Sequence, residues 1–322
     1  MVNKKPSTKS QILQILRTAS SPINGDTLAN ETGVSRVAVW KAVQSLQLSG
    51  YKIDSARNGY QLSEDLADSL YPWEFGMIES SFSHFAETDS TMIQGRIAAE
   101  ECKNGELKVI TADIQNKGQG HADHKWTTTR GSLACTIVSK ESISLAESHR
   151  FVMACQIAAA KALQETSGRK IFVRWPNDIW TEKGKAGGIL DDLSSTGSFT
   201  NWINLGLGLN LSVKPKLSGT DFIFDGDKKV LRKDILKKII ENLKAEIKSA
   251  KENNSDLEKQ WNLFCPDIGK SFKVKDSEKT YLFKGINSYG WAVTECNGQE
   301  KSFPPCTINF IKSGEKLNEL KI

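Results

Sequence analysis

The opening of the chain sets three short helical patterns end to end and then breaks into paired strands, which leaves few folds open. Ile12, Leu13, Ile15 and Leu16 mark one face of a first helix. Gly25 to Thr32 reads as a second, carrying Leu28 and Ala29 inward, and Gly33-Val34 turns the chain. Ser35 is a good N-cap, because its hydroxyl can accept a backbone N–H that the helix itself leaves orphaned, and a third helix is expected from there to about Leu48. In that helix Val39, Val43 and Leu46 share one face and leave Arg36, Lys41 and Gln44 outside. Tyr51 to Arg57 and Tyr60 to Leu62 then read as strands separated by Asn58-Gly59, the two-residue signal of a tight hairpin.

Helix, glycine turn, helix and hairpin predict a winged helix-turn-helix over residues 1–65, with the third helix entering a major groove and Arg57 at the wing tip beside a phosphate backbone. The expected DNA-binding residues are Ser35, Arg36, Lys41, Gln44 and Arg57. Charge agrees: Met1 to Leu62 holds eight Lys or Arg against three Asp or Glu, in a chain whose net charge is only +5. A winged helix used only for protein contacts is the bland alternative.

At 322 residues with 39% apolar content, the chain has material for further cores. No apolar run approaches the roughly 18 residues of a membrane span, and no signal-peptide core follows the Lys-rich start. Cys102, Cys135, Cys155, Cys265, Cys296 and Cys306 are scattered without a C-x-x-C pair, a pattern of reduced thiols in a cytoplasmic protein.

Residues 66–266 alternate strand-like runs (Val109 to Ala112, Leu133 to Val138, Trp202 to Leu205) with helical ones (Phe151 to Glu165, Arg232 to Lys251). That order suggests a mixed-sheet α+β domain. Ile235, Ile239, Leu243 and Ile247 form an inward stripe on the last helix, whose lysines are its solvated face. Four motifs fall at strand ends or loops. They are Glu87-Thr88-Asp89-Ser90-Thr91-Met92, then Ala112 to Gln115 leading into Lys117 to Trp126, then Val173-Arg174-Trp175-Pro176-Asn177-Asp178 with Lys185 seven residues on, and Gly206-Leu207-Gly208-Leu209-Asn210. Singly, the glycine motifs are equally well ordinary turns.

Together, in this order and spacing, they resemble the catalytic domain of biotin–protein ligases, a class II synthetase-like fold. Preceded by a winged helix, nearly the whole chain looks like the bifunctional ligases that also repress a biotin operon. The resemblance implies that biotin and ATP, with Mg2+, form biotinyl-5′-adenylate, and that biotin then passes to a lysine of a biotin carboxyl carrier protein domain. It also implies repression of biotin-synthesis operator DNA by a ligand-promoted homodimer, with no membrane partner.

The site residues follow by match. Lys185 corresponds to the central lysine bridging carboxylate and α-phosphate, and Asp178, the other catalytic residue, with Asn177, to positions near the triphosphate and its Mg2+. Ser90, Thr91, Met92, Gln115, Gly118, Gln119, Gly120, His121, Lys185 and Gly188 are the expected biotin contacts. His124, Trp126, Asn177, Lys185 and Asn210 are the expected ATP or adenylate contacts.

Two departures stand out. Where the family's loop runs G-R-G-R-x-G-R-x-W, this chain has Gly118-Gln119-Gly120-His121-Ala122-Asp123-His124-Lys125-Trp126, with every arginine gone. Arginine is permanently charged and forks onto phosphate or carboxylate, whereas histidine near neutral pH is mostly uncharged. Met92 replaces a common asparagine. Weaker adenylate retention is expected, and the alternative reading is a biotin-responsive repressor with weak or lost ligase activity. A metal site at His121, Asp123 and His124 is a remoter alternative, lacking a clear fourth ligand. Lipoate ligation is more distant still, since no R-R-x-S-G-G-G segment is present.

Residues 267–322 change to short strands (Ser271 to Val274, Tyr281 to Ile286, Trp291 to Thr294, Thr307 to Phe310) with turns at Asn287 to Gly290 and Cys296 to Gln299. They read as an SH3-like β-barrel. Pro304-Pro305-Cys306 stands where the family often has Gly and Glu.

Overall fold

The structure, a computed structural model, describes residues 5–120, 125–129, 131–213, 215, 217–225, 230–251, 256–274, 279–305 and 307–308. The chain divides into two compact units, Met1–His84 and Phe85–Ile322.

In the first unit α1 (Thr8–Thr18), α2 (Gly25–Thr32) and α3 (Arg36–Leu48) precede the hairpin of β1 (Lys52–Ala56) and β2 (Gly59–Glu64). Each helix is started by a side chain that accepts a backbone N–H: Ser7 from Ser10, Asn24 from Thr27, and Ser35 from Ala38. Gly33 closes α2 in the left-handed conformation. Ile12, Leu13, Leu16, Leu28, Val39, Val43, Leu46, Tyr51 and Ile53 form one buried core.

The hairpin turn is displaced from the expected Asn58-Gly59. Ala56 pairs with Gly59, so Arg57 and Asn58 are the loop residues and Gly59 already belongs to β2. The glycine answers to packing: Ile23 and Tyr60 exchange backbone hydrogen bonds, and a Cβ on Gly59 would fall 2.2 Å from the Ile23 carbonyl oxygen.

A 3-10 segment, Pro72–Ser81, completes this unit. Its Glu74 carboxylate is buried and accepts two hydrogen bonds from Arg17, at 2.9 and 2.7 Å, plus the Tyr51 hydroxyl. Trp73 donates to the same hydroxyl at 3.2 Å, and Lys9 lies over the Trp73 ring. Chain beyond the hairpin is thereby built into the winged-helix core.

The second unit is organised on a seven-stranded sheet. Its strands are β3 (Phe82–Thr88), β4 (Leu107–Gln115), β5 (Leu133–Ser139), β6 (Phe172–Arg174), β7 (Asp178–Trp180), β8 (Lys185–Thr196) and β9 (Phe199–Leu209). The order is β3-β4-β5-β9-β8-β7-β6, antiparallel at each junction from β4 to β6, with a parallel bridge joining Lys185 to Thr220. α4 (Thr91–Glu101) packs on β5 and β9, where Gly95 and Gly206 make room for Asn204 and Met92.

α5 (His149–Ser167) is buried almost all round, between the sheet and the pair α6 (Arg232–Lys251) and α7 (Asp256–Phe264). On α6 the expected stripe Ile235, Ile239, Leu243 and Ile247 is buried. α4 and α7 are helices that the sequence reading did not isolate.

β10 (Ser271–Lys273), β11 (Thr280–Ile286), β12 (Ala292–Cys296) and β13 (Gln299–Phe303) form a four-stranded antiparallel sheet. The last described strand is Gln299–Phe303; of the expected Thr307 to Phe310, Thr307 and Ile308 are not in a strand, and Asn309 and Phe310 lie outside the described residues. Asn297 and Gly298, both at positive φ, turn β12 directly into Gln299.

Among the described residues no helix is long and apolar enough to cross a membrane. Cys102, Cys135, Cys155, Cys265 and Cys296 are free thiols.

Candidate active site

A cleft opens at the middle of the sheet. Its floor is β8 and β9, where Gly188 and Leu190 face the space beside Gly206 and Gly208. Sheet pairing places the key backbone: Asp178 opposite Gly188, and Gly188 opposite Gly208. Lys185, which pairs with Trp180 at the far end of the β7–β8 ladder, reaches back along it, its Nζ lying 2.7 Å from Asp178 Oδ1. Among the described residues lining the cleft, Lys185 is the only cation.

The opposite wall is polar and tightly ordered. Gln115 Oε1 accepts the Thr91 backbone N–H at 2.8 Å and its hydroxyl at 3.1 Å, and Gln115 Nε2 donates to Thr128 at 3.1 Å. Thr136 donates to Thr91 Oγ1 at 2.9 Å. Ser90, fully buried, caps α4 by accepting the Met92 N–H. Met92 lines the cleft, and its sulfur would fall 2.5 Å from a Cβ on Gly206. Trp126 lies across Gly208, whose added Cβ would come within 2.5 Å of the ring. The Trp126 indole Nε1 is buried with no hydrogen-bond partner among the described residues.

The turn carrying Asn177 and Asp178, entered by a cis Trp175–Pro176 bond, is gripped from behind. Gln156 of α5 donates to the Arg174 carbonyl at 3.3 Å and the Asp178 carbonyl at 3.1 Å, and itself accepts Trp261 Nε1 at 2.7 Å. The Arg174 guanidinium forks onto Asp267, both hydrogen bonds at 2.7 Å and both side chains buried. Trp175 Nε1 donates to the Gly290 carbonyl at 3.0 Å. His149 hydrogen-bonds the Pro176 carbonyl, and burial holds its imidazole down at about 4, against the pull of Asp191 and that carbonyl.

Residues 217–224 run alongside Lys185, which donates to the Gly219 carbonyl and accepts the Asp221 N–H. Burial alone would raise the Asp221 carboxyl, but hydrogen bonds from Thr181 and Arg169 carry it below its ordinary value.

Of the expected ligand contacts, the structure brings Ser90, Thr91, Met92, Gln115, Gln119, Gly120, Trp126, Asn177, Asp178, Lys185 and Gly188 to one cleft. Gly118 lines an adjoining cavity with Gln119 and Gly120. Asn210 is outside the lining: its Nδ2 donates to the Asp221 carbonyl at 3.2 Å, behind the Lys185 strand. His121 and His124, and with them the metal alternative that includes Asp123, lie outside the described residues. Sequence reasoning missed Cys135, Ile189, Leu190, Gly206, Leu207 and Gly208 as lining. The alternation of glycine with leucine in 206–209 was the available signal, since a strand shows one face every second residue.

In the first unit Ser35 caps α3 rather than facing outward freely, while Arg36, Lys41, Gln44 and Arg57 are exposed. Arg36 and Arg57 line a groove between the start of α3 and the wing.

Comparison with known proteins follows the same division into a winged helix and a sheet domain. Residues 8–61 match an HTH domain, and residues 83–210 match the biotin/lipoate A/B protein ligase family. Over those residues the chain is similar to each of the two families. The bifunctional ligase/repressor BirA of Bacillus subtilis is 23% identical over 293 residues, covering 85% of this chain and 90% of that protein. BirA of Escherichia coli is 26% identical, over 59% of this chain and 60% of its own length. Biotin protein ligase from Aquifex aeolicus, solved with biotin and ATP, shares the fold with a TM-score of 0.60 at 20% identity, over 72% of this chain and 99% of its own.

Proposed function

We propose that this chain is a biotin–[biotin carboxyl carrier protein] ligase that also represses biotin-synthesis genes. The observation that carries the reading is Lys185 beside Asp178 at the mouth of a cleft whose far wall is the Thr91–Gln115 network. Joining a carboxylate to an α-phosphate brings two anions together, so a catalyst must supply positive charge and fix the line of attack. A carboxylate oxygen of biotin forms the new bond to Pα, and the Pα–O bond to pyrophosphate breaks with its electron pair. Lys185 offsets charge on both reactants.

Ser90, Thr91 and Gln115 hold the biotin head, and the buried Trp126 N–H is a donor awaiting an acceptor on the adenylate side. In the second step the acceptor lysine, as free amine, attacks the acyl carbon and AMP leaves. Asp178, a carboxylate lining the cleft beside Lys185, would hold Mg2+, a hard ion that prefers carboxylate and phosphate oxygens. That suits an ion held by one carboxylate, phosphate oxygens and water. When bound, the ion neutralises phosphate charge.

As a regulator, the chain places Arg36, Lys41, Gln44 and Arg57 on operator DNA as a ligand-promoted homodimer in the cytoplasm. A second reading, a biotin-responsive repressor with weak ligase activity, is favoured by one observation, that Lys185 is the lone described cation of the cleft.

The test is incubation with biotin, Mg-ATP and a biotin carrier domain, read by acceptor mass. Gain of one biotinyl group, lost in Lys185→Ala, is the expected outcome. Biotin binding that tightens DNA binding without any transfer would establish the second reading instead.

A further inference from the structure

We propose that Val37 and Trp40 form an apolar reading surface on α3 that seats on thymine methyl groups in the major groove. The proposal deepens the DNA-binding reading and rests on it. Val37, Trp40, Lys41 and Gln44 are spaced at three, four and seven, so they make a second stripe on α3, opposite the buried Val39, Val43 and Leu46. Val37 is 61% exposed and Trp40 49% exposed. Spaced three apart, the two side chains form one exposed apolar pair on the outer face of α3.

The surroundings say which partner. Both side chains line the groove between the start of α3 and the wing, together with Arg36, Arg57 and Tyr60. Lys41 stands exposed one residue beyond Trp40. The pattern is an apolar centre with a basic rim. Arg36 is paired with Asp26, at 3.3 Å, and both are exposed, an arrangement that phosphate readily exchanges. Duplex DNA has the complementary pattern: anionic rails on both sides of a major groove whose floor carries one apolar group, the thymine methyl. A partner helix with an apolar face would match the centre and not the rim.

The experiment selects from a random duplex pool with the full chain, biotin and Mg-ATP present. The enriched duplex is then remade with deoxyuridine at each thymine in turn, which deletes the 5-methyl alone. Uridine at one or two positions is expected to weaken binding about fourfold, the worth of one buried methyl. Trp40→Ala and Val37→Ala should weaken binding to the thymine duplex and become indifferent to uridine there. Arg57→Ala should instead weaken both duplexes alike and lower the salt dependence. Trp40→Gln serves as a second variant should Trp40→Ala fail to fold. Specific binding with no uridine effect at any position overturns the proposal and leaves the DNA reading intact. So does a Trp40 variant that loses self-association while keeping the uridine effect. No enrichment of any duplex overturns the DNA reading and this proposal with it.

Discussion

Lys185 and Asp178 neutralise each other across 2.7 Å, so an anion that takes the lysine changes the charge balance at Asp178. That makes the pair responsive to substrate charge and to a cation beside Asp178. Lys185→Ala should lower the adenylation rate by roughly 10²–10³, the usual cost of losing one charge-stabilising group, measured as pyrophosphate release. The glycines of β9 are equally specific. A methyl at Gly208 would meet the Trp126 ring at 2.5 Å, and the ring has to move into the cleft. Overpacking of this kind costs about 1–3 kcal/mol, and Gly208→Ala should weaken biotin binding about tenfold by calorimetry. Lys185 and Asp178 were legible in the sequence because they fall in one continuous motif, whereas Gly206 and Gly208 were seen as a motif but not as lining of the cleft. The place of Asn210 was not legible, since its amide turns toward Asp221, and no local pattern records such a partner.

Among elements, the winged helix reads well from sequence because helical spacing and N-caps are local signals. The Pro72–Ser81 segment reads poorly because its ties to the domain are long-range, among them a buried carboxylate meeting an arginine 57 residues away and Glu79 accepting from Ser7. Breaking a buried pair by removing one partner typically costs about 3 kcal/mol. Glu74→Ala should destabilise the first unit by about that much, seen as an early transition in urea, and Glu74→Gln by less. The last described strand teaches the same lesson from the other side: Asn297-Gly298 is a strong turn signal, and it sends the chain into Gln299–Phe303 rather than on to Thr307.

For the molecule as a whole, buried polar groups tie stability to pH. His149 titrates at about 4 when folded, against an ordinary value of 6.5. Between those values the unfolded chain takes a proton that the folded one refuses, so stability falls as pH drops from 6.5 toward 4 and is unaffected above 6.5. The full swing is about 3 kcal/mol. His149→Gln should flatten the pH dependence of the urea midpoint across that window. Asp221 adds to the acid side, since its lowered carboxyl contributes stability above the unfolded value that is lost as pH falls through the folded one.

The Arg174–Asp267 pair has a practical corollary for anyone who wants a smaller tool. A fragment trimmed just ahead of residue 267 keeps every side chain that lines the cleft but strands a guanidinium in the interior, and it also forfeits the Gly290 carbonyl that receives Trp175. Such a truncate should emerge from expression as aggregate, and minimisation efforts do better to redesign that seam than to cut it.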